Sequence, residues 1–126
     1  MRIIICGSRN WTDRAQIHAE IDRLHTKYGD KLIIIHGVCE TGADMIANDY
    51  CIEKDIRIIP FPARWRFHGN AAGPIRNQRM IDQGKPQGVV AFDMGGTGTA
   101  SMISKANTAG LSVIRIAGVP ADENLL

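Results

Sequence analysis

Residues 88–109 constrain the fold more than any other stretch. Gly88-Val89-Val90-Ala91-Phe92 is a β-branched, apolar run, Met94-Gly95-Gly96-Thr97-Gly98-Thr99 follows almost at once, and a helix-like run extends from Ala100 to Ala109. This succession predicts strand, tight loop and helix. Glycines let the backbone approach a ligand closely, because no Cβ stands in the way. The amides of such a loop and of the helix start are unpaired and favour an anion. Thr97 and Thr99 add hydroxyls at the same spot, so phosphate is the guest that fits. A glycine-rich turn that binds nothing would have the same composition, and the remaining loops have to weigh between the two.

The strand–loop–helix unit recurs along the chain. Arg2 to Cys6 is a near-continuous apolar run, as a central parallel strand covered on both faces requires. Gly7-Ser8-Arg9-Asn10 follows, Thr12-Asp13 marks a helix start, and Ile17, Ile21, Leu24 and Tyr28 repeat at helical spacing up to Gly29. Lys31 to His36 reads as the second strand. The next helix has a buried stripe of Ala43, Ile46, Ala47, Tyr50 and Cys51, and Ile56 to Pro60 forms the third strand. Phe61 to Gly73 is expected to be a long irregular connection, and a helix follows Pro74. Ser112 to Ile116 is the last strand, with an irregular tail from Gly118 to Leu126.

Five strands alternating with four helices predict an α/β fold. The sheet is parallel and doubly wound in order 3-2-1-4-5, with helices on both faces, as a single domain over 1–126. In such sheets ligands bind beyond the carboxyl ends of the strands, where the strand order reverses. The loops Gly7 to Asn10, Gly37 to Gly42, Pro62 to Gly73 and Gly95 to Thr99 all follow strands and therefore share one sheet edge. The reversal lies between strands one and four, which sets Gly7-Ser8-Arg9 beside the glycine loop. His36, ending the second strand, borders the same pocket, while His18 and His25 fall on the first helix's exposed side.

Several chemistries are excluded. A dehydrogenase would show G-x-G-x-x-G after the first strand and an acid ending the second, whereas Gly7-Ser8-Arg9 and His36 stand there. A P-loop needs lysine after its last glycine, and Thr99 follows Gly98. His18, His25, His36 and His68 lack metal-ligand spacing, so neither metal nor cofactor is expected. Cys6, Cys39 and Cys51 are odd in number without a C-x-x-C pair, which suits a reducing cytoplasm. No apolar run reaches membrane-spanning length and the start lacks a signal-peptide pattern, so the expected location is cytoplasmic, away from membranes. A net charge of +2 is too small to imply nucleic-acid binding by itself. Between Ile56 and Ile81, however, lie Arg57, Arg64, Arg66, Arg76 and Arg79 without a single acid, a pattern suited to forked recognition of phosphate or carboxylate. Asp44, at the start of the second helix, either satisfies amides or meets a ligand. Asp93 either holds a ribose hydroxyl or braces the glycine loop.

Five motifs occur in one order: Gly7-Ser8-Arg9; His36-Gly37 with Thr41-Gly42-Ala43-Asp44; Phe61-Pro62-Ala63 with Trp65; Ala72-Gly73-Pro74-Ile75-Arg76-Asn77 with Met80; and Gly95-Gly96-Thr97-Gly98-Thr99. Together they resemble the SLOG superfamily, specifically its small bacterial and phage members related to YspA and YpsA, over roughly nine-tenths of the chain. The resemblance implies a Rossmann-like nucleotide-binding fold. It also adds Gly37, Thr41, Gly42, Asp44 and Asn77 to the ligand-binding residues Gly7, Ser8, Arg9, Arg76, Gly95, Gly96, Thr97, Gly98 and Thr99.

The superfamily's Lonely Guy phosphoribohydrolases cut the N-glycosidic bond of nucleoside monophosphates. Their loop reads P-G-G-x-G-T-x-x-E, with R-K-x-x-M on an upstream helix. Here the glycines, Arg76 and Met80 match, whereas Asn77 replaces the lysine, Met94 the proline and Met102 the glutamate. Methionine neither ionises nor hydrogen-bonds strongly, so catalysis would need another acid, with Glu40, Asp44 and Arg76 as the candidate catalytic residues. The leading expectation is a protein that binds a nucleotide-derived small molecule, of ADP-ribose or phosphoribosyl type. Its implied setting is the sensing, sequestering or degrading of a signalling nucleotide in phage–bacterium conflict. A phosphoribohydrolase is the first alternative. Single-strand nucleic-acid binding is the second and weaker one, through the interleaved Arg64-Trp65-Arg66-Phe67. The resemblance also implies a homo-oligomer, a dimer or larger, with Trp65 and Phe67 shielded.

Overall fold

Alternation along the strands decides which helix covers which face of the sheet. In β1 (Arg2–Gly7), Ile3 and Ile5 point to one side, Ile4 and Cys6 to the other, and all are buried. A strand with both sides apolar belongs in the middle, and β1 lies there. It pairs in parallel with β2 (Ile33–His36) on one side and with β4 (Gly88–Asp93) on the other. The edges are β3 (Arg57–Pro60) beside β2 and β5 (Ser112–Ala117) beside β4, giving the all-parallel order β3-β2-β1-β4-β5. The chain thus has the predicted Rossmann-like α/β topology. The computed structural model describes residues 1–118, so the expected irregular tail lies, Gly118 apart, outside the described residues.

Two helices cover each face. α1 (Arg14–Tyr28) and α2 (Ala43–Glu53) bury Ile17, Ile21 and Leu24, and Ala43, Ile46, Ala47, Tyr50 and Cys51, against Ile3, Ile5, Ile34, Val90 and Phe92. On the other face, α4 (Ala72–Asp82) and α5 (Thr97–Thr108) set Met80, Met102 and Ala106 against Ile4, Ile35, Val89 and Ala91. Each fully buried isoleucine contributes about 1.5–3 kcal/mol relative to an exposed one. Asp13 caps α1 by accepting the Gln16 amide at 3.2 Å, and Gly29 ends it at φ +57°. Among the described residues no helix is long and apolar enough to cross a membrane.

Four local expectations need correction. The connection after β3 is not irregular: Trp65–His68 forms a single helical turn, α3, followed by a 3-10 turn over Gly69–Ala71. α4 starts at Ala72, two residues before Pro74, which is tolerated because a first-turn amide has no intrahelical partner. α5 starts at Thr97, so Thr97, Gly98 and Thr99 form its first turn instead of a free loop. His18 is also not on a fully exposed side. It stacks on Tyr50 of α2 with ring centroids 3.9 Å apart, and Tyr50 Oη donates to Asp22 Oδ1 at 2.7 Å.

Asp93 ends β4 and ties three segments together. Oδ1 accepts the Gly95 amide at 2.8 Å, Oδ2 accepts Arg115 Nε of β5 at 2.7 Å, and its carbonyl accepts the Gly118 amide. The Gly95 amide first, and the Arg115 guanidinium second, hold its carboxyl below the usual carboxylate range. A carboxyl with a depressed folded-state pKa stabilises the fold above the unfolded-state pKa, about 4, and that contribution fades as pH falls through the folded value. Asp93→Asn should therefore lower the denaturation midpoint at pH 7 and lose part of the wild type's further decline below about pH 4. Equal losses at pH 7 and pH 3 would mean that the carboxylate's charge is immaterial.

Candidate functional site

The strand order reverses between β1 and β4, and there the carboxyl edge opens into a cleft of about 690 Å³. Of the residues predicted to bind a ligand, Gly7, Ser8, Arg9, Gly37, Asp44, Arg76, Asn77, Gly96, Thr97, Gly98 and Thr99 line it. Thr41 lines an adjoining cavity of about 470 Å³ together with Glu40, and Gly42 and Gly95 line neither. His36 lines neither as well. It is buried under the β2–α2 loop, where Nδ1 accepts the Val38 amide at 3.1 Å and Nε2 faces Asn48 Oδ1 at 3.0 Å.

The glycines divide by what a Cβ would meet. At Gly7 it would fall 2.6 Å from the Phe92 carbonyl and 2.8 Å from Ala43 Cβ. At Gly42, with φ +75°, it would overlap the Ser8 and Arg9 backbone. At Gly37 it would collide with the Arg76 guanidinium. Gly7 and Gly42 are glycines because fixed parts of the protein occupy the space, whereas at Gly37 a Cβ would displace the end of one side chain. Gly95 has φ +88°, which disfavours other residues. Gly96, at φ −75°, and Gly98 would place a Cβ in open space. Gly98 lies in the first turn of α5, where glycine weakens a helix by up to about 1 kcal/mol relative to alanine. Packing and φ explain neither residue. A ligand approaching the backbone would explain both.

Around that open start of α5, which has no side-chain cap, the groups are polar. The first amides of a helix have no intrahelical acceptor and carry the positive end of its dipole. Asn77 Nδ2 donates to the Gly98 carbonyl at 3.3 Å and so joins α4 to α5. Arg76 donates through Nε to Asn77 Oδ1 at 3.0 Å and through one terminal nitrogen to the Gly37 carbonyl. Part of the guanidinium fork is thus spent on the protein, and its remaining donors face the cleft. Of the five arginines between Ile56 and Ile81, only Arg76 lines the cleft, and Arg79 instead stands over the Phe61 ring at 5.7 Å.

The acids are differently placed. Asp44, 4% exposed, accepts the Gly37 and Cys39 amides on Oδ2 at 3.2 and 3.3 Å. Glu40 is exposed at the rim of the smaller cavity. Asp93 braces the glycine loop and lines neither cavity. Thr41 Oγ1 donates to the Arg9 carbonyl, so Thr41 and Gly42 hold the first loop in place. Met102 is fully buried among Ile4, Ala91 and Met80. Burial first, and the Asp44 charge second, push the Cys6 and Cys39 thiols up, so neither is a ready nucleophile. Among the described residues no three His, Cys, Asp or Glu side chains are placed to hold a metal ion. Cys39 and Asn70 line the cleft from loops expected at this edge, whereas Cys6, Pro74, Met80 and Ser101 line it from outside the predicted loops and site residues. Cys6 follows from its place near the end of β1.

Comparison with known proteins places this architecture. A family model described as YAcAr, the YspA, cpYpsA-related SLOG family, matches residues 1–68. The Gene 61 protein of Mycobacterium phage D29 is 35% identical over 127 residues, covering 94% of this chain and 98% of that protein.

The glycine argument has a direct check in stability. Gly98→Ala should raise the unfolding free energy by up to about 1 kcal/mol, measured by denaturant titration. Gly42→Ala should lower it by about 2–4 kcal/mol, because the backbone is strained and overlaps its neighbour. Destabilisation by Gly98→Ala would show that packing, not an approaching ligand, keeps the glycine there.

Proposed function

The chain belongs to the YspA, cpYpsA-related SLOG family, and on that footing we propose that it binds a nucleotide or nucleotide-derived phosphoribosyl compound in the cleft between β1 and β4. The observation that carries this reading is the start of α5. Gly96 and Gly98 leave open space beside the first-turn amides, and Arg76 lines the same cleft. Backbone donors, a helix dipole and a guanidinium suit a phosphate dianion, and no neighbouring carboxylate belongs to α5 itself.

Binding without hydrolysis is the form we favour. Cutting an N-glycosidic bond requires a carboxylate to stabilise the oxocarbenium-like ribosyl centre. Asp44 is the one acid among the residues described for the larger cavity, and one of its oxygens already holds two amides. Asp44 is accordingly a positioning residue in this reading. A protein that retains a nucleotide without destroying it can sense or sequester a signal, and the phage relative fits a role in phage–bacterium conflict.

Calorimetry with adenosine 5′-monophosphate tests the binding, and native mass spectrometry of the purified protein tests for a retained nucleotide. Arg76→Ala should weaken binding about tenfold, since part of the fork is already engaged, and Arg76→Lys should recover only part of that loss. Gly96→Val should fold normally and not bind. Unchanged affinity in both Arg76→Ala and Gly96→Val would remove the phosphate seat from α5. Chromatographic release of adenine from the monophosphate, lost in Asp44→Asn, would make the protein a hydrolase instead.

A further inference from the structure

The phosphate reading leaves the smaller cavity without an occupant. That cavity shares Arg9, Gly37, Cys39, Trp65 and Arg76 with the larger one, so the two are chambers of one site. Their characters differ. The larger contains the α5 start, whereas the smaller is reached from Trp65 past Val38, Pro62 and Ala63, with Glu40 and Thr41 as polar neighbours. A ligand with one anionic end and one flat end, apolar on its faces and polar at its edges, would match that division.

Trp65 is 50% exposed, while the chain's other tryptophan, Trp11, is 4% exposed in the core. The group over the Trp65 ring is the Arg9 guanidinium, with Cζ 5.8 Å from the centroid. That is near the outer limit of a cation–π contact, about 6 Å. The Arg9 side chain makes no hydrogen bond or ion pair among the described residues, so little holds it there. A planar ring stacked on the indole would make closer and more extensive contact. Arg9, released, still lines the chamber that holds the α5 amides.

Val38 belongs to the same lining. Val38 has φ +58°, an outlier for a β-branched residue, and its side chain is 38% exposed. Its amide is held by His36 Nδ1, and the flanking Gly37 and Cys39 amides by Asp44. Strain maintained by buried partners, with an apolar side chain turned outward at a cavity wall, is the arrangement found at ligand clamps. Glu40, at the rim, offers an acceptor for an exocyclic amine.

We propose that the smaller chamber is a nucleobase subsite: the base stacks on Trp65, displaces Arg9 from over the ring, and lies against Val38, while Arg9 turns toward the phosphate. This rests on the phosphate seat at α5, and it narrows the ligand to nucleotides proper, excluding sugar phosphates that lack a base.

The test is calorimetry with adenosine 5′-monophosphate and ribose 5-phosphate on wild type, Trp65→Ala and Trp65→Phe. In the wild type the monophosphate should bind about tenfold or more tightly than ribose 5-phosphate, the gain expected from stacking one base. Trp65→Ala should bring the two affinities together by weakening only the monophosphate, and Trp65→Phe should keep most of the preference. Unchanged ribose 5-phosphate binding in Trp65→Ala also shows that the variant is folded. Equal affinities in the wild type, or a parallel loss of both ligands in Trp65→Ala, would overturn the subsite and leave the phosphate seat standing. Failure of both ligands to bind the wild type would sink the phosphate seat, and the subsite with it.

Discussion

Asp44 brings a carboxylate into a place only 4% exposed, and the amides of Gly37 and Cys39 converge on one of its oxygens. A buried carboxylate that loses its donors is costly, so the β2–α2 loop cannot relax away from it. Fixing Gly37 in turn fixes its carbonyl, which Arg76 grips from α4. A Cβ at position 37 would push that guanidinium aside and break the grip. One carboxylate thus ties loop, arginine and helix into a single wall. It also helps to push the Cys6 and Cys39 thiols up, which leaves the cleft floor chemically quiet.

His36 supplies the second support. The Val38 amide can only donate, so Nδ1 must accept, and the proton resides on Nε2 facing Asn48 Oδ1. That tautomer holds Val38 at a backbone angle its branched side chain resists. Rigidity at this edge comes from buried polar partners more than from apolar packing. The strands supply the frame, and these hydrogen bonds set the loops upon it.

The frame was legible in the sequence because period-two burial on both sides of Ile3–Cys6, and helical periodicity in Ile17, Ile21 and Leu24, are local signals. Parallel pairing follows from the alternation of strands and helices, and the order 3-2-1-4-5 is a doubly wound arrangement of that alternation. The glycine loop and Arg76 were legible for the same reason. What escaped was set by distant partners. Gly42 is glycine because Ser8 and Arg9 press on it from another loop, and Thr41 points to the Arg9 carbonyl. Asp93 finds Arg115 across β5, a contact that no spacing within β4 announces. The single helical turn Trp65–His68 is too short to display a period in the sequence.

Position 102 shows how one residue bears on function through the helix it belongs to. On α5, Thr97, Gly98, Thr99 and Ser101 line the cleft, while Met102 and Ala106 are buried on the side turned to the sheet. Met102 belongs to the same buried cluster as Met80 and Cys6, both of which line the cleft, and itself lies behind that lining. A carboxylate there would be surrounded by Ile4, Ala91 and Met80 without a donor on this chain's own helices, and its ionised form would be strongly disfavoured. Among the described residues, the apolar cluster leaves no polar group behind this part of the cleft wall. It also withholds the charge that glycosidic cleavage needs, so the same substitution that weakens a hydrolytic reading strengthens one of retention.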